Sequence, residues 1–175
     1  MPDYTPSDLA GIIVAEYLTS YPSGYGITQS AVDISELENL VARIDTFASQ
    51  AHTEWDRLES ARNNTQEYHR CAMSCWGVDL WDFADEVHSR VVSTEIKSAA
   101  LELKNAVDDF VISEQHSTDM AGSHGIAVYF PSSQTAFEND PDHSAYNDTN
   151  TFMPVDFVRF HTWDNWLTDF YSNAP

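Results

Sequence analysis

One run of residues, 123–131 with the sequence SHGIAVYFP, constrains the fold of this chain more than any other. Ile126, Val128 and Phe130 alternate along it with Ala127 and Tyr129. This alternation of β-branched and aromatic residues favours a buried strand. Gly125 opens the run and a proline closes it. Because a single strand cannot satisfy its own backbone groups, it must pair with weaker strands elsewhere in the chain or with a sheet outside it.

Helical spacing predominates in the rest of the sequence. The first helix is predicted to run to about Thr19, with Thr5 as its N-cap and Pro6 at its first position. Four further helices are predicted, from Ser35 into the 61–68 region, from Asp79, from Ser93 or Thr94, and from Thr162. A short extended segment is expected at 28–33 and a loop with little structure at 132–153.

The apolar residues of these helices recur at spacings of three and four, which indicates faces that line a core. In the first helix the predicted inward positions include Leu9, Ile12 and Ile13. The longest stripe has no glycine or proline within it and consists of Leu37, Val41, Ile44, Ala48, Ala51, Trp55 and Leu58. The pattern therefore predicts a mostly α fold with minor β content (α+β), namely a helical bundle that carries a few strands.

Length and hydrophobic content fit one domain that spans residues 1–175. The chain has 175 residues of which 42% are hydrophobic, including five Trp, eight Tyr and nine Phe, and this is enough to form a core. No apolar run approaches the roughly 20 residues that a membrane-spanning helix needs. Residues 1–6 have neither a basic segment nor a hydrophobic one, so no signal peptide is predicted in this chain. Both a cytosolic protein and a piece of a longer protein fit these observations.

The charge is strongly unbalanced. The sequence contains 28 acidic and 8 basic residues, for a formal net charge of −20, and its only lysines are Lys97 and Lys104. Such a charge repels phosphate backbones and anionic lipids, so we expect neither nucleic acid nor membrane as a partner. Many acidic residues with few lysines are typical of proteins adapted to high salt, and an ordinary acidic surface is the alternative.

Salt adaptation makes a testable prediction. Because the acidic side chains repel one another, screening by salt should stabilise the folded state. We expect the melting temperature to rise between dilute buffer and molar potassium chloride, as measured by circular dichroism. A melting temperature that stays constant or falls would leave the acidic excess without an explanation in salt adaptation.

Two cysteines supply a candidate metal or redox site. Cys71 and Cys75 are four residues apart and would share a helix face, with His69 close by. Zinc takes four ligands and the sequence offers no second pair at a usable spacing, so buried thiols or an incidental disulfide are the preferred interpretations. No Gly-Xaa-Ser-Xaa-Gly motif is present to support a serine nucleophile.

Acidic residues supply two further candidates. Asp140 begins a run that resembles a calcium loop, but Ala145 stands where an EF-hand needs glycine and Thr151 where it needs glutamate. A weak, irregular calcium site in the loop 138–148 stays open beside the interpretation as a solvated loop. The second candidate is a group of four acidic residues, Asp79, Asp82, Asp85 and Glu86. Their spacing is that of an exposed helix face, with Asp79 as the residue that caps the helix.

Four segments resemble those of a known family. Residues 124–131 (HGIAVYFP), 28–35 (TQSAVDIS), 78–84 (VDLWDFA) and 160–171 (FHTWDNWLTDFY) are similar, in the same order along the chain, to segments of the clostripain-like cysteine peptidases, which have a caspase-like fold. The resemblance implies that this chain corresponds to the C-terminal region downstream of the catalytic cysteine. In that family the region is a helical bundle packed on a caspase-like α/β domain, which is absent from this chain.

The function that the resemblance implies is that of a non-catalytic structural region. Its partners would be the upstream catalytic domain and, through that domain, a peptide or protein substrate, with an extracellular or cell-surface location. The parent would be a cysteine endopeptidase, often one that cuts after basic residues. The alternatives are a self-sufficient acidic binding or structural module and a degenerate peptidase homologue that lacks the catalytic dyad.

His124 is the residue most easily mistaken for a catalytic one, because caspase-fold peptidases place their catalytic histidine in a His-Gly pair. In that fold the histidine precedes the nucleophile, whereas Cys71 and Cys75 both lie upstream of His124. The family's nucleophile also follows a buried strand, and neither cysteine here is predicted to do so. We therefore expect His124 to be structural, and we assign no catalytic, cofactor-binding or metal-ligating residue to this chain.

Overall fold

The computed structural model describes residues 3–21, 25–68, 77–140, 143–146 and 156–175. Its helices and strands follow one another as α1 (Pro6–Thr19), β1 (Thr28–Val32), α2 (Leu37–Gln50), α3 (Trp55–Asn64), β2 (Glu67–Tyr68), β3 (Gly77–Asp79), α4 (Leu80–Arg90), α5 (Thr94–Phe110), β4 (Val111–His116), β5 (Ala127–Tyr129), α6 (Gln134–Asn139), α7 (Asp156–Phe160) and α8 (Trp163–Asn173). The predicted class, mostly α with minor β, is confirmed. Within the described residues, no helix is long and apolar enough to cross a membrane.

The core is built from helices around one aromatic side chain. Helix α5 packs between α2 and α4, and α8 packs on α2. Phe130, at the end of the strand run, is completely buried where these elements meet. Five aromatic rings have their centroids within 4.9 to 6.3 Å of the Phe130 ring, those of Phe83, Trp163, Trp166, Phe170 and Tyr171. The strand run predicted from the sequence therefore anchors the core.

The strands form two small antiparallel sheets. In the first the order is β2-β3-β5, and Val78 of β3 pairs with Val128 of β5. In the second, which we call the ribbon, β1 pairs with β4, and Thr28 lies opposite His116. The run 123–131 thus finds its partner within the chain, but β5 is only three residues long and pairs on one side with β3.

The prediction of one continuous long helix from Ser35 is wrong. The structure divides it into α2 and α3, because Glu54 adopts the left-handed conformation with φ of 57°. The Glu54 carboxylate accepts hydrogen bonds from the backbone N–H groups of Val92 and Ser93, at 2.8 and 2.7 Å. A contact between residues so far apart in sequence compensates for the strained backbone of Glu54, and no local pattern reports it.

Three other expectations are corrected by the structure. In α1, Leu9, Ile12 and Ile13 are exposed and only Val14 is buried, because the helix packs on the thin ribbon and not on the core. Leu37, predicted to be buried, is 41% exposed. The segment 132–153, predicted as a loop with little structure, contains α6, which Ser133 caps.

The stripe along α5 makes a prediction with a control in the same helix. Leu103 is completely buried, whereas Leu101 is 42% exposed. We expect Leu103→Ala to lower the free energy of unfolding by about 2–5 kcal/mol, because it removes buried methyl groups and leaves a cavity. Leu101→Ala should change it by less than about 0.5 kcal/mol. Denaturant unfolding of both variants measures the difference, and equal losses would show that this face of α5 does not pack on the core.

Candidate functional site: a buried aspartate–histidine cluster

Asp79 is the one aspartate whose side chain the structure buries completely among the described residues. It stands at the end of β3 and directly before α4, where its Oδ1 accepts a hydrogen bond of 2.9 Å from the backbone N–H of Asp82. The predicted role of Asp79 as helix cap is confirmed. Its predicted exposure is wrong, because Tyr68 of β2 and the loop before β5 enclose it.

The other oxygen of Asp79 joins three distant parts of the chain. Oδ2 accepts from the Tyr68 hydroxyl and from the backbone N–H of His124, both at 2.7 Å. The Tyr68 oxygen also lies 2.9 Å from the hydroxyl of Ser123, which is buried as well. We call these four residues, Tyr68, Asp79, Ser123 and His124, the Asp79 cluster. Its carboxylate accepts three hydrogen bonds, which is how a buried charge is stabilised.

The imidazole of His124 is fixed by stacking on one face of its ring and by polar contacts at one ring nitrogen. Its ring stacks on the indole of Trp81 with centroids 3.9 Å apart and an angle of 14°. Nδ1 lies 3.0 Å from the carbonyl oxygen of Gly122 and 3.4 Å from Asp79 Oδ1. Since both neighbours accept hydrogen bonds, they favour the tautomer that carries hydrogen on Nδ1. Nε2 then remains as the acceptor of the neutral ring.

Charged side chains contact the outer side of Trp81. The Lys104 ammonium lies 4.0 Å from the centroid of the indole ring, and it pairs with Asp85 at 2.5 Å. The indole Nε1 donates to Asp108 at 2.9 Å. Stacking, cation–π contact and hydrogen bonding together fix the indole, which in turn fixes the ring of His124.

Burial and negative charge change the acidity of the groups around Asp79. Burial raises the pKa of the Tyr68 hydroxyl, and the neighbouring Asp79 carboxylate raises it further. Burial likewise raises the pKa of Asp82, and the neighbouring Asp79 carboxylate also raises it. The hydrogen bond from the backbone N–H of Gln66 lowers this pKa but does not outweigh burial. Tyr68 therefore stays neutral and donates a hydrogen bond to the carboxylate throughout the physiological range of pH.

An open polar groove of about 760 Å³ runs beside the cluster. Asp82 and Gln66 lie on its wall, joined by a hydrogen bond of 2.7 Å from the Gln66 N–H. A Cβ on Gly122 would lie 2.9 Å from an Asp82 oxygen, so glycine is required there for this close approach. Arg62 also lines the groove, but its guanidinium is occupied by the Phe130 carbonyl oxygen and by Glu67.

The chemistry that this arrangement supports is limited by what surrounds the imidazole. A carboxylate beside Nδ1 is half of a catalytic triad, and the other half is a nucleophile near Nε2 with donors for an oxyanion. Among the described residues, the His124 ring makes its hydrogen bond to the Gly122 carbonyl oxygen and none to a hydroxyl or thiol. The Asp79 carboxylate already accepts hydrogen bonds from the first turn of α4, from the Tyr68 hydroxyl and from the backbone N–H of His124. These hydrogen bonds stabilise the fold.

The remaining candidates from the sequence have different outcomes. His69, Cys71 and Cys75 lie outside the described residues. Within the part of the chain that the structure describes, no three His, Cys, Asp or Glu residues are grouped so as to hold a metal ion. In the loop 138–148, residues 141–142 and 147–148 lie outside the description, so the weak calcium site there stays a prediction.

Sequence reasoning missed two members of the cluster. Tyr68 lies in a segment predicted as the end of a helix, and the structure places it in β2, opposite Gly77. Ser123 precedes the strand run without any pattern of its own. The one signal in the sequence for a role of Ser123 was its position next to the His-Gly pair. Buried polar groups need hydrogen-bonding partners, and an adjacent serine can supply one.

A second aspartate–histidine contact joins α2 to α8. Asp45 accepts hydrogen bonds of 2.9 Å from both the backbone N–H and the hydroxyl of Thr162, and its other oxygen lies 2.8 Å from His161 Nδ1. Burial opposes the ionisation of Asp45, but these hydrogen bonds outweigh burial and hold its pKa below the usual value. Thr162 precedes the first residue of α8, so Asp45 caps that helix from another element.

The lowered pKa of Asp45 predicts a dependence of stability on pH. Because the folded state holds the proton less tightly than the unfolded state, Asp45 stabilises the fold above its unfolded pKa of about 3.9. This contribution is lost as the pH falls through the folded-state pKa. We expect Asp45→Asn to be less stable than the wild type near neutral pH, with a difference that shrinks in acid. Urea titrations at several pH values measure it, with the exposed Asp109→Asn as control. A difference that grows in acid would contradict the assignment.

Comparisons of the chain with protein-family models, with curated proteins and with solved structures found no match. The fold and the cluster define an acidic, mostly helical α+β protein with a buried aspartate at the junction of its small sheet and its helices. Any assignment of function rests on the residues themselves.

Proposed function

We propose that this chain is the C-terminal, non-catalytic structural region of a clostripain-like cysteine endopeptidase whose His/Cys dyad lies in an upstream domain. The observation that carries the proposal is the convergence of the four segments similar to that family. They are separated by tens of residues along the sequence, and in the structure the segment 124–131 contacts each of the other three.

The contacts between the segments are specific. Asp79, from the second segment, accepts a hydrogen bond from the backbone of His124, in the third. The hydroxyl of Ser30, from the first, donates to the Gly125 carbonyl oxygen at 2.7 Å. Phe130, from the third, contacts the ring of Trp166 in the fourth with centroids 5.4 Å apart. The segments that carry the resemblance thus meet in one packed region of the fold.

Gly125 explains why the His-Gly pair serves the fold. Its φ is +100°, a conformation that side chains disfavour. A Cβ on Gly125 would lie 2.9 Å from the Cβ of Ser30, so the ribbon approaches the strand run only because this residue is glycine. The pair thus has a structural role on both sides: the histidine N–H binds Asp79 and the glycine admits the ribbon.

The experiment begins with the gene. We expect the reading frame upstream of Met1 to encode a His-Gly pair followed some tens of residues later by Asp-Xaa-Cys. The isolated 175-residue chain should cleave neither arginyl nor lysyl peptide substrates, and the longer product should cleave them. Failure to find the dyad would favour the self-sufficient module or the degenerate homologue.

Variants within this chain separate a structural His124 from a catalytic one. If the chain has a structural role, Cys71→Ala and Cys75→Ala should leave the peptidase activity of the longer product unchanged. Turnover by the isolated chain that disappears in either cysteine variant and in His124→Ala would overturn the proposal. Circular dichroism of each variant separates a loss of activity from a loss of fold.

A further inference from the structure

Met120 links the turn after β4 to two other parts of the fold. It ends the short 3₁₀ turn Thr118–Met120, and its carbonyl oxygen accepts a hydrogen bond of 2.9 Å from the N–H of Ser123 in the Asp79 cluster. A Cβ on Gly26, two residues before β1, would lie 3.3 Å from Met120 Sδ, so the sulfur packs closely against the backbone there. The residue is only partly buried and lines the open polar groove.

The side-chain amide of Gln66 directs a donor at this sulfur. Its Nε2 lies 3.9 Å from Met120 Sδ and donates to the Glu67 carbonyl oxygen at 2.9 Å, so each of the two N–H groups has its own partner. Its Oε1 accepts from the N–H of Gly122 at 3.3 Å, which fixes the orientation of the amide. Because a thioether sulfur is a weak acceptor, the N–H that points at Met120 makes only a weak hydrogen bond.

We propose that Met120 is a site of reversible oxidation by hydrogen peroxide, and that Gln66 binds the oxygen of the resulting sulfoxide. A lone pair of the sulfur attacks one peroxide oxygen, so that the S–O bond forms as the O–O bond breaks. The thioether loses two electrons and the peroxide gains them. The proton of the transferred oxygen passes to the leaving hydroxide, and water is the second product. The inference is independent of the proposed function, because it uses only contacts within this chain.

The surroundings of the sulfur select one of the two sulfoxide epimers. An oxygen added toward Gln66 comes one S–O bond closer to Nε2, which brings it into the range of about 2.7–3.2 Å for an N–H···O hydrogen bond. An oxygen added toward Gly26 would meet backbone that already packs against the sulfur. The donor for the first epimer is therefore in place before the reaction, and the second epimer is disfavoured by steric contact.

Oxidation at this position strengthens a contact between two segments. Methionine sulfoxide ordinarily disrupts packing, because it makes an apolar side chain polar. Here the new oxygen replaces a weak acceptor with a strong one opposite an existing N–H, and it ties the turn 118–120 to the residue before β2. The same turn holds the N–H of Ser123, so the effect extends to the Asp79 cluster. Methionine sulfoxide reductases reverse the change.

The epimer ratio in the wild-type chain tests the inference directly. The 175-residue chain is treated with hydrogen peroxide, and peptide mapping separates the oxygen on Met120 from oxygen on the other methionines and the cysteines. Two reductases, each specific for one sulfoxide epimer, then measure the ratio. We expect one epimer to exceed the other at least about fivefold, whereas a peptide with the sequence of residues 116–124 should give nearly equal amounts. Equal epimers in the folded chain, or no oxidation of Met120, would overturn the inference.

A matched pair of variants tests the role of Gln66. Gln66→Glu removes the Nε2 donor but keeps an oxygen acceptor for the N–H of Gly122, so the excess of one epimer should fall below about twofold. Gln134→Glu adds the same charge at an exposed position and should leave the excess unchanged. An excess that survives in Gln66→Glu, with the fold intact by circular dichroism, would contradict the assignment of Gln66.

Hydrogen exchange of the wild-type chain provides a test that needs no variant at Gln66. After oxidation we expect the amides of Gly122 and Ser123 to exchange at least about threefold more slowly, because the turn that holds them gains a hydrogen bond. Treatment with both reductases should restore the original rates. Met120→Leu exposed to the same peroxide is the control and should show no slowing. Exchange that is equal or faster in the oxidised wild type would overturn the inference.

Discussion

Phe130→Ala is expected to lower the free energy of unfolding by about 3–5 kcal/mol, the usual range when a buried Phe is truncated to Ala. The ring is completely buried and five other aromatic rings surround it. Its backbone carbonyl oxygen also accepts two hydrogen bonds from the buried Arg62 guanidinium, so movement of the backbone into the cavity would disturb a second set of contacts. Equilibrium unfolding in urea measures the loss.

Phe160 provides the matched control. Its side chain is 69% exposed, and it precedes the same C-terminal helix that packs on Phe130. Phe160→Ala should change the free energy of unfolding by less than about 0.5 kcal/mol. Comparable losses for the two variants would show that Phe130 is not the centre of the core.

Asp79→Ala is expected to cost at least about 3 kcal/mol, because it leaves three donors without their acceptor in a buried site and each such loss costs about 1–3 kcal/mol. The donors belong to Tyr68, Asp82 and His124, so the substitution weakens the α4 cap and the link between β2 and the strand run at once. Asp79→Asn keeps one oxygen acceptor and should cost less. Thermal and urea unfolding measure both variants.

The control for charge is Asp85, which lies on the same helix with its side chain 48% exposed and pairs with Lys104. Asp85→Ala removes an equal charge from the surface and should cost no more than about 1 kcal/mol. If Asp79→Ala proves as mild as Asp85→Ala, the cluster does not hold the fold together. The structural role that we assign to the His-Gly pair would then lose its main support.

Local sequence signals predicted the starts of several helices correctly. Thr5, Asp79 and Ser93 each accept a hydrogen bond from a backbone N–H in the first turn of the following helix, as their residue types and positions indicated. The buried stripe of α5, including Leu103, follows from the spacing of apolar residues alone. Such features are predictable because caps and stripes depend on residues within one or two turns.

Contacts between distant residues were not predictable in the same way. The pattern of α5 continues through Val111, yet the helix ends at Phe110 and β4 begins, because the backbone there pairs with β1 about eighty residues earlier. The burial of Asp79 was missed for a related reason. A capping aspartate is ordinarily exposed, and only the arrival of Tyr68 and His124 from elsewhere makes this one a buried centre.

The sequence by itself determined the helical class, the strand run at 123–131 and the segments that resemble a peptidase family, because each depends on residue types at short spacings. The tertiary structure alone decided that these segments meet, that Glu54 divides a continuous stripe, and that the apolar side of α1 faces outward. The physical reason is that a side chain's burial and a strand's partner are properties of two surfaces in contact, and the second surface is encoded tens of residues away.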